Sequence, residues 1–412
     1  MRIRNELATL LAASALACAA CGGENRSAVT TPPSSAVALP GDTTTVTSSD
    51  AGTSGAPTAV RAASDAGAPP SATLPEGPAG YASPLPPPKP ITIALGAGED
   101  TPVDKELAAG DAAIEKGALA EAQKHYDAAL KASPKQAAPL VGLARVRIAK
   151  TGVALDFGSA KNNREIIAAV ADLKRATKLE PAFAPTYVEL GRALLLLGDA
   201  EGSMESLRKG VQLLPNEAEA HSALGVALVA TGHFDEAIDE LGRAAKLDAG
   251  SAPRHGNYAT ALFVRGRVKE AIAEYELQAR LADGDARAHA DLGAALLGTN
   301  ELERAVRELA RAVSLDPRRA TYHSNLGYAL QLQGKIADAV AQYREALRLD
   351  DKLVSAWVNL ATALARSPKT RAEARAALER ARAIAPTDPS VKANLEELDA
   401  LEKQERGAGA RP

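Results

Sequence analysis

The chain has 412 residues, a net charge of −3 and only 3% aromatic residues, so a core must be built mainly from alanine, leucine and valine. The first 100 residues hold 5 Lys or Arg and 8 Asp or Glu, and the remaining residues hold 43 of each sign. A neutral folded part argues against nucleic acid as a partner, because such affinity comes largely from a basic footprint. Both cysteines, Cys18 and Cys21, lie close to the N-terminus, so no disulfide or thiolate metal site is predicted beyond them.

Residues 1–21 predict a secretory signal peptide. Two arginines precede a run of fourteen apolar or small residues from Leu7 to Ala20, which is too short for a helix to span about 30 Å of hydrocarbon. The run ends at Cys21 and two glycines, and it resembles a bacterial lipoprotein signal, in which the cysteine is lipidated. We predict lipidation of Cys21, with Cys18 or simple cleavage without lipid as alternatives. The resemblance implies an outer-membrane lipoprotein facing the periplasm, or otherwise a protein secreted to the periplasm.

Residues 22–100 predict a disordered linker. Serine, threonine, alanine, glycine and proline dominate, and 13 of the 25 prolines lie between Pro32 and Pro90. So little apolar surface cannot offset the entropy lost on ordering. A flexible coil of roughly 75 residues spans about 50 Å root-mean-square. We interpret the segment as a spacer; a proline-rich ligand for another module, or a stretch that threads the cell wall, is the alternative.

From Thr101 onward the sequence repeats with a period of about 34 residues, which is typical of a solenoid. When His323 is set at position 4 of its unit, positions 8 and 20 hold small residues in all eight units and position 24 holds a large one. Small residues let two helices cross closely, and the large residue fills the space beside them. Position 8 is Gly110, Ala144, Gly191, Gly225, Ala259, Gly293, Gly327 and Ala361, and position 24 is Tyr126, Leu173, Leu207, Leu241, Tyr275, Leu309, Tyr343 and Leu378.

This register resembles the tetratricopeptide repeat, which has a glycine among large residues on its first helix and an alanine before an aromatic residue on its second. The resemblance implies an all-α, right-handed superhelical solenoid over residues 101–406. Unit 2 departs from the pattern with an insertion at 151–163. The units are near 103–136, 137–183, 184–217, 218–251, 252–285, 286–319, 320–353 and 354–388, followed by a capping helix at 389–406 and a disordered tail at 407–412.

Four of the six histidines share position 4 of their units: His221, His255, His289 and His323. The resemblance places a tryptophan there, and Tyr187 and Trp357 occupy the same position in other units. A metal site needs ligands within a few ångströms of one another, whereas neighbouring repeats set this position about 10 Å apart. We predict that these rings pack helix against helix, with a metal or catalytic row as the alternative.

Sequence motifs of known enzymes are sparse. The stretch Leu-Asp-Phe-Gly-Ser-Ala-Lys at 155–161 shares Asp-Phe-Gly with protein kinases, but the Gly-rich loop, strand lysine and catalytic loop are missing. No P-loop, zincin motif or Gly-x-Ser-x-Gly elbow is present. We predict a protein that is not an enzyme and has no cofactor. An enzyme without a recognisable signature, with the insertion at 151–163 as its special feature, is the alternative.

The resemblance implies that the first helices line a concave groove that binds a protein or peptide. An asparagine side chain in this groove offers a donor and an acceptor, so it can hold a peptide backbone without selecting its sequence; the alternative is that the asparagines satisfy neighbouring helices. The basic positions of the family's carboxylate clamp are not matched in order, so a free C-terminus is not the expected ligand. The predicted groove residues are Val188, Arg192, Leu195, Val226, Asn257, Thr260, Phe263, Asn325, Tyr328, Gln331 and Asn359.

These features predict an interaction scaffold or assembly factor, tethered to the bacterial envelope through an N-terminal lipid, that binds an extended segment or helix of a partner protein. One alternative is a structural envelope spacer whose repeats self-associate. Another is a pilotin-like lipoprotein that assists assembly of a secretion, pilus or motility machine. The sequence does not identify the partner.

Overall fold

The computed structural model describes residues 92–96, 98–153 and 158–409. The predicted signal peptide, both candidate lipidation cysteines and the linker up to residue 91 lie outside the described residues, so those assignments stay predictions. Within the described residues the fold contains 17 α-helices and a short 3₁₀ turn but no strand. The predicted all-α solenoid is confirmed. None of these helices is long and apolar enough to cross a bilayer.

Sixteen of the helices form eight consecutive hairpins, one in each unit. The first helices are α1 (Pro102–Glu115), α3 (Ala138–Lys150), α5 (Ala184–Leu197), α7 (Ala218–Ala230), α9 (Ala252–Val264), α11 (Ala286–Leu297), α13 (Ala320–Leu332) and α15 (Val354–Ala365). The second helices are α2 (Leu119–Ala132), α4 (Arg164–Leu179), α6 (Ala200–Leu213), α8 (Phe234–Leu247), α10 (Val268–Leu281), α12 (Leu302–Leu315), α14 (Ile336–Leu349) and α16 (Arg371–Ile384). The 3₁₀ turn is Pro368–Thr370, and the chain continues into a single helix, α17 (Pro389–Gly409).

Each hairpin closes where a small residue of the first helix meets a large residue of the second. A Cβ atom added to Gly225 would lie 2.4 Å from Cγ of Leu241, and one added to Gly110 would lie 2.5 Å from the Tyr126 ring. Leu241 and Tyr126 are both buried. The two backbones therefore approach so closely that a larger residue at position 8 would overlap its partner, which is the packing that the repeat register predicts.

The helices form two layers. Each first helix contacts the first helix of the next unit, as α1 does with α3 and α5 with α7, whereas each second helix contacts the first helices on either side of it. Because the first helices approach one another more closely than the second helices do, they line the inner side of the curve. This inner layer is the surface on which a concave groove can form.

Turns between helices use left-handed backbone. Gly232 ends the first helix of its unit with φ 83°, and in unit 6 Asn300 takes the equivalent place with φ 62°. Asparagine tolerates this region better than other residues with a side chain. The insertion of unit 2 makes a longer turn, in which Gly158 N–H donates to the Leu195 carbonyl at 3.0 Å and Ala160 N–H donates to the Leu196 carbonyl at 2.9 Å. Its described half therefore packs on the end of α5.

Two stretches differ from the boundaries predicted from the sequence. The last helix continues to Gly409, into the predicted tail. The end of the predicted linker is packed rather than disordered, and Leu95 is only 2% exposed. This packed end lies in the short apolar run Ile-Thr-Ile-Ala-Leu at 91–95, which follows the last proline of the tract.

Candidate protein-binding groove

The rings at position 4 join neighbouring units. Nδ1 of His255 lies 2.7 Å from Oε2 of Glu274 on the second helix of its unit, and Nε2 lies 3.0 Å from the Ala249 carbonyl in the preceding joint. His221, His289 and His323 repeat this arrangement with Pro215, Asp283 and Pro317. The prediction that these rings pack helix against helix is confirmed. Among the described residues, no group of three or more His, Cys, Asp or Glu side chains could hold a metal ion.

Two of these histidines are held in an environment that favours the charged ring. In His221, both ring nitrogens face acceptors, the Glu240 carboxylate at 2.5 Å and the Pro215 carbonyl at 2.9 Å. The hydrogen bond to Glu240 raises the pKa of His221, and burial opposes it. The Glu308 carboxylate likewise raises the pKa of His289. These imidazoles are therefore donors at both nitrogens when protonated.

The predicted groove residues divide into two sets. Phe263 packs beside the Gly298 turn, Thr260 bonds the Tyr275 hydroxyl at 2.9 Å, and Gln331 accepts from Tyr343 at 2.9 Å. These side chains are buried, and Thr260 and Gln331 bond tyrosines of the second helices of their own units, so they serve packing within the fold. The buried set is Val188, Leu195, Thr260, Phe263 and Gln331, and the half-buried set on the inner layer is Arg192, Val226, Asn257, Asn325, Tyr328 and Asn359.

A row of polar side chains runs along units 5 to 8 at position 6. Asn257, Asn325 and Asn359 are half-buried, and within the described chain no hydrogen bond joins their amide groups to another residue. Unit 6 supplies Asp291 at the same position, so four consecutive units contribute an amide or a carboxyl group. Burial raises the pKa of Asp291 to about 6, although Arg287 at 3.4 Å opposes this. We call these four residues the position-6 row.

Asp291 is absent from the groove residues predicted from the sequence, which at position 6 include asparagines alone. Asp291 lies one repeat period after Asn257, so the repeat register alone places it in the row. Beside the row, Leu332 is 44% exposed, which is unusual for a large apolar side chain in this fold, and Tyr328 is half-buried. Units 7 and 8 therefore combine amide groups with accessible apolar surface on the inner layer.

A second feature of the inner layer, absent from the sequence analysis, is a chain of buried ion pairs through units 1 to 5. Arg145 bonds Asp111 at 3.2 Å and Glu189 at 2.8 Å. Arg192 lies 3.6 Å from Glu189 and also pairs with Glu219. Arg254 then bonds Glu219 at 2.9 Å and Asp248 at 2.8 Å. This ion-pair ladder alternates in sign along its length: Asp111, Arg145, Glu189, Arg192, Glu219, Arg254 and Asp248.

The ladder is buried for most of its length. The side chains of Arg145, Glu189, Glu219, Arg254 and Asp248 are each 8% exposed or less, and Arg192 at 32% is the most accessible. The neighbouring arginines lower the pKa of Glu189 against the effect of burial. Charges removed from water in this way are tolerated because each has an opposite partner. The ladder therefore joins five units at their inner faces.

Comparison with protein families identifies the repeats. Tetratricopeptide repeat models match residues 184–217, 228–290 and 325–389. A model described as a bacterial transcriptional activator domain matches residues 278–355, overlapping two of these stretches. A search of curated proteins found no match.

Three solved structures are similar to parts of this chain. The APC/C hetero-tetramer Cut9–Hcn1 is similar over 73% of this chain and 57% of that chain, with 17% identity and a TM-score of 0.52. YrrB, described as a TPR protein with an unusual peptide-binding site, matches 47% of this chain and 99% of its own at 20% identity and a TM-score of 0.39. PilF of Pseudomonas aeruginosa matches 53% and 98% at 20% identity and a TM-score of 0.45. Of these three scores the first alone exceeds 0.5, and at its identity it shows the fold alone.

Proposed function

We propose that this chain, whose folded part is built of tetratricopeptide repeats, is an interaction scaffold that binds an extended segment of a partner protein along the inner layer of units 5 to 8. The observation that carries the proposal is the position-6 row. Three of its members present amide groups that bond nothing else in the described chain. Because these half-buried amide groups are not used within the fold, they are available to pair with a ligand that lies along the inner layer.

The chemistry of the row suits a peptide backbone. Each asparagine amide can donate to a carbonyl and accept from an N–H group, the two groups that an extended chain presents along its length. Leu332 and Tyr328 add apolar contact in unit 7. Asp291 makes the row sensitive to pH, because its carboxyl group has a pKa of about 6 and changes charge there. Below that pH it resembles an amide, and above it the row favours a ligand with a basic side chain nearby.

The cellular setting is part of the same proposal. The N-terminal residues resemble a lipoprotein signal, and the proline-rich tract that follows would hold the repeats away from a membrane surface. On this proposal the protein is an envelope-tethered scaffold or assembly factor. Incubating cells with a labelled fatty acid and following the label into the native chain and its Cys21→Ser variant tests the anchor. Label in both chains, or in neither, would contradict lipidation at Cys21.

Nucleic acid is not the partner proposed. The match to a bacterial transcriptional activator domain covers residues 278–355, which are helical hairpins of the same repeat array. Residues beyond 100 carry equal numbers of acidic and basic side chains, so they lack the positive surface on which such binding depends.

Affinity capture from detergent-solubilised envelopes tests the groove. The baits are the full chain, a triple variant (Asn257→Ala, Asn325→Ala and Asn359→Ala) and a control variant (Asn162→Ala and Asn216→Ala). The control residues are exposed asparagines outside the row. Circular dichroism confirms that all three baits have equal helix content before capture.

We expect a partner that is retained by the native and control baits and reduced at least ten-fold with the triple variant. Equal recovery by all three baits would refute binding through the row. Recovery of untagged copies of the same chain with the tagged bait, and of no other protein, would indicate self-association, which analytical ultracentrifugation at increasing protein concentration would then measure.

A further inference from the structure

Residues 92–96 lie against the inner layer at its N-terminal end. Arg145 Nη2 donates to the Ile93 carbonyl at 2.9 Å, and Leu95 N–H donates to Asp111 Oδ2 at 2.9 Å. Leu95 belongs to the core cluster of units 1 to 3, whereas Ile93 packs against the cluster that begins in unit 3. The segment is therefore held through two backbone groups and two aliphatic side chains.

The two side chains that hold the segment are themselves fixed. Arg145 is 5% exposed and bonds Glu189 at 2.8 Å as well as Asp111. Asp111 also accepts a hydrogen bond from the Tyr126 hydroxyl at 2.7 Å. Both residues occupy position 9 of their units, which is a groove position in the repeat register. A donor and an acceptor are thus oriented before any chain binds, which lowers the entropy lost on binding.

The contacts define the kind of chain that fits. The carbonyl of Ile93 and the N–H of Leu95 are bound, the Leu95 side chain is buried, and the Ile93 side chain is half-buried against its cluster. Ala94 between them is exposed. In an extended chain, residues two apart point the same way. The pattern is therefore an aliphatic residue, any residue and a second aliphatic residue, in extended conformation.

We propose that this is a second peptide-binding site, occupied in this structure by the chain's own residues 92–96, which an extended aliphatic-x-aliphatic segment of a partner protein displaces. The site lies in units 1 to 3 and shares no residue with the position-6 row, so either proposal can fail without the other. The covalent connection to α1 keeps the chain's own segment at a high effective concentration, commonly millimolar for a short linker. A partner segment consequently binds only when it competes with that concentration.

A peptide that copies residues 90–96, Pro-Ile-Thr-Ile-Ala-Leu-Gly, labelled with a fluorophore, tests the site. It is titrated against the full native chain and against an Ile93→Asp, Leu95→Asp double variant, in which the segment can no longer pack. We expect the double variant to bind the peptide at least ten-fold more tightly than the native chain, because its own segment no longer competes. Equal affinity for both chains, or no binding to the double variant, would overturn the proposal.

Chemical changes in the peptide locate the contacts without altering the protein. Methylation of the leucine nitrogen removes the donor to Asp111, and we expect at least a ten-fold loss of affinity. Methylation of the alanine nitrogen, which makes no hydrogen bond within the described chain, is the matched control and should cost less. Equal losses from the two methylations would contradict the assigned geometry.

Hydrogen exchange supplies a readout that does not need the variant. If the double variant loses helix content, saturating peptide is added to the native chain and exchange at the Leu95 amide is measured. Displacement predicts at least ten-fold faster exchange at Leu95. Unchanged exchange at saturating peptide would show that the segment is a fixed part of the fold, and the proposal would fail.

Discussion

Glu219 is the residue at which the ion-pair ladder is most easily interrupted. Its carboxylate is 4% exposed and pairs with both Arg192 and Arg254. A Glu219→Ala substitution leaves Arg254, also 4% exposed, with Asp248 as its remaining ladder partner, and leaves Arg192 with Glu189 at 3.6 Å. Removing one partner of a buried pair costs about 3–5 kcal/mol, and we expect about 3 kcal/mol because each arginine keeps one partner.

The matched control is Glu236→Ala. Glu236 bonds Arg208 at 2.9 Å, but the two side chains are 55% and 54% exposed, and such a pair contributes less than about 1 kcal/mol. Urea unfolding followed by circular dichroism measures both variants. The free energy of unfolding falls by about 3 kcal/mol per molar urea. The unfolding midpoint of Glu219→Ala should therefore lie about 1 M urea below that of the native chain.

Repeat proteins unfold by groups of neighbouring units rather than all at once, so the shift should appear in the transition that includes units 3 to 5. Hydrogen exchange of the amides in α5, α7 and α9 assigns it. If Glu219→Ala and Glu236→Ala shift the transition equally, the ladder does not stabilise the solenoid in the way its burial indicates.

Two further predictions concern the hairpins and the histidines. Gly225→Ala places a Cβ atom 2.4 Å from Leu241 and should lower the free energy of unfolding by about 1–3 kcal/mol. The control is Gly284→Ala, which has nothing within 4 Å of its Cβ atom and should leave the melting temperature nearly unchanged. Equal melting temperatures for the two variants would contradict the close packing. The raised pKa values of His221 and His289 stabilise the fold below the pKa of about 6.5 of an unfolded histidine, and this stabilisation is lost as pH rises through the folded pKa values. The melting temperature should therefore fall as pH rises above about 6.5, and it should fall less steeply when both histidines are changed to glutamine. A slope that the two substitutions leave unchanged would contradict this prediction.

The hairpins could be predicted from the sequence because their closing contacts recur within single units. Gly225 and Leu241 belong to the same unit, and the same pair of small and large residues returns in every unit of the array. Local spacing of this kind is independent of how the units stack. The rings at position 4 were interpreted correctly for the same reason, although their bonds to the preceding joint were not foreseen.

The ion-pair ladder could not be predicted in this way. The positions that it joins change along the array: position 9 of unit 1 pairs with position 9 of unit 2, but position 9 of unit 2 pairs with position 6 of unit 3. The ladder therefore does not repeat with the period. The rotation from one unit to the next decides which charged side chains form pairs, and many packing contacts together determine that rotation. The same cause explains why Phe263 and Gln331 are buried although their register places them on the groove.

The packed segment at 92–96 could not be recognised from the composition of the region around it. A tract of serine, threonine and proline dominates the composition around it, and a run of so few apolar or small residues is too short to show a period. Its position depends on Arg145 and Asp111, which are distant in sequence and carry no motif.

The bonds at the joints have a mechanical consequence. At six of the seven joints between described units, the ring at position 4 donates a hydrogen bond to a carbonyl in the preceding joint. The donors are Tyr187, Trp357 and the four position-4 histidines. If a force were applied to the two ends of the solenoid, each joint would bear the full force because the joints lie in series. The joint between units 1 and 2 has Leu140 at this position and lacks the bond. Under tension that joint would depend on other contacts between units 1 and 2, such as the Arg145–Asp111 ion pair.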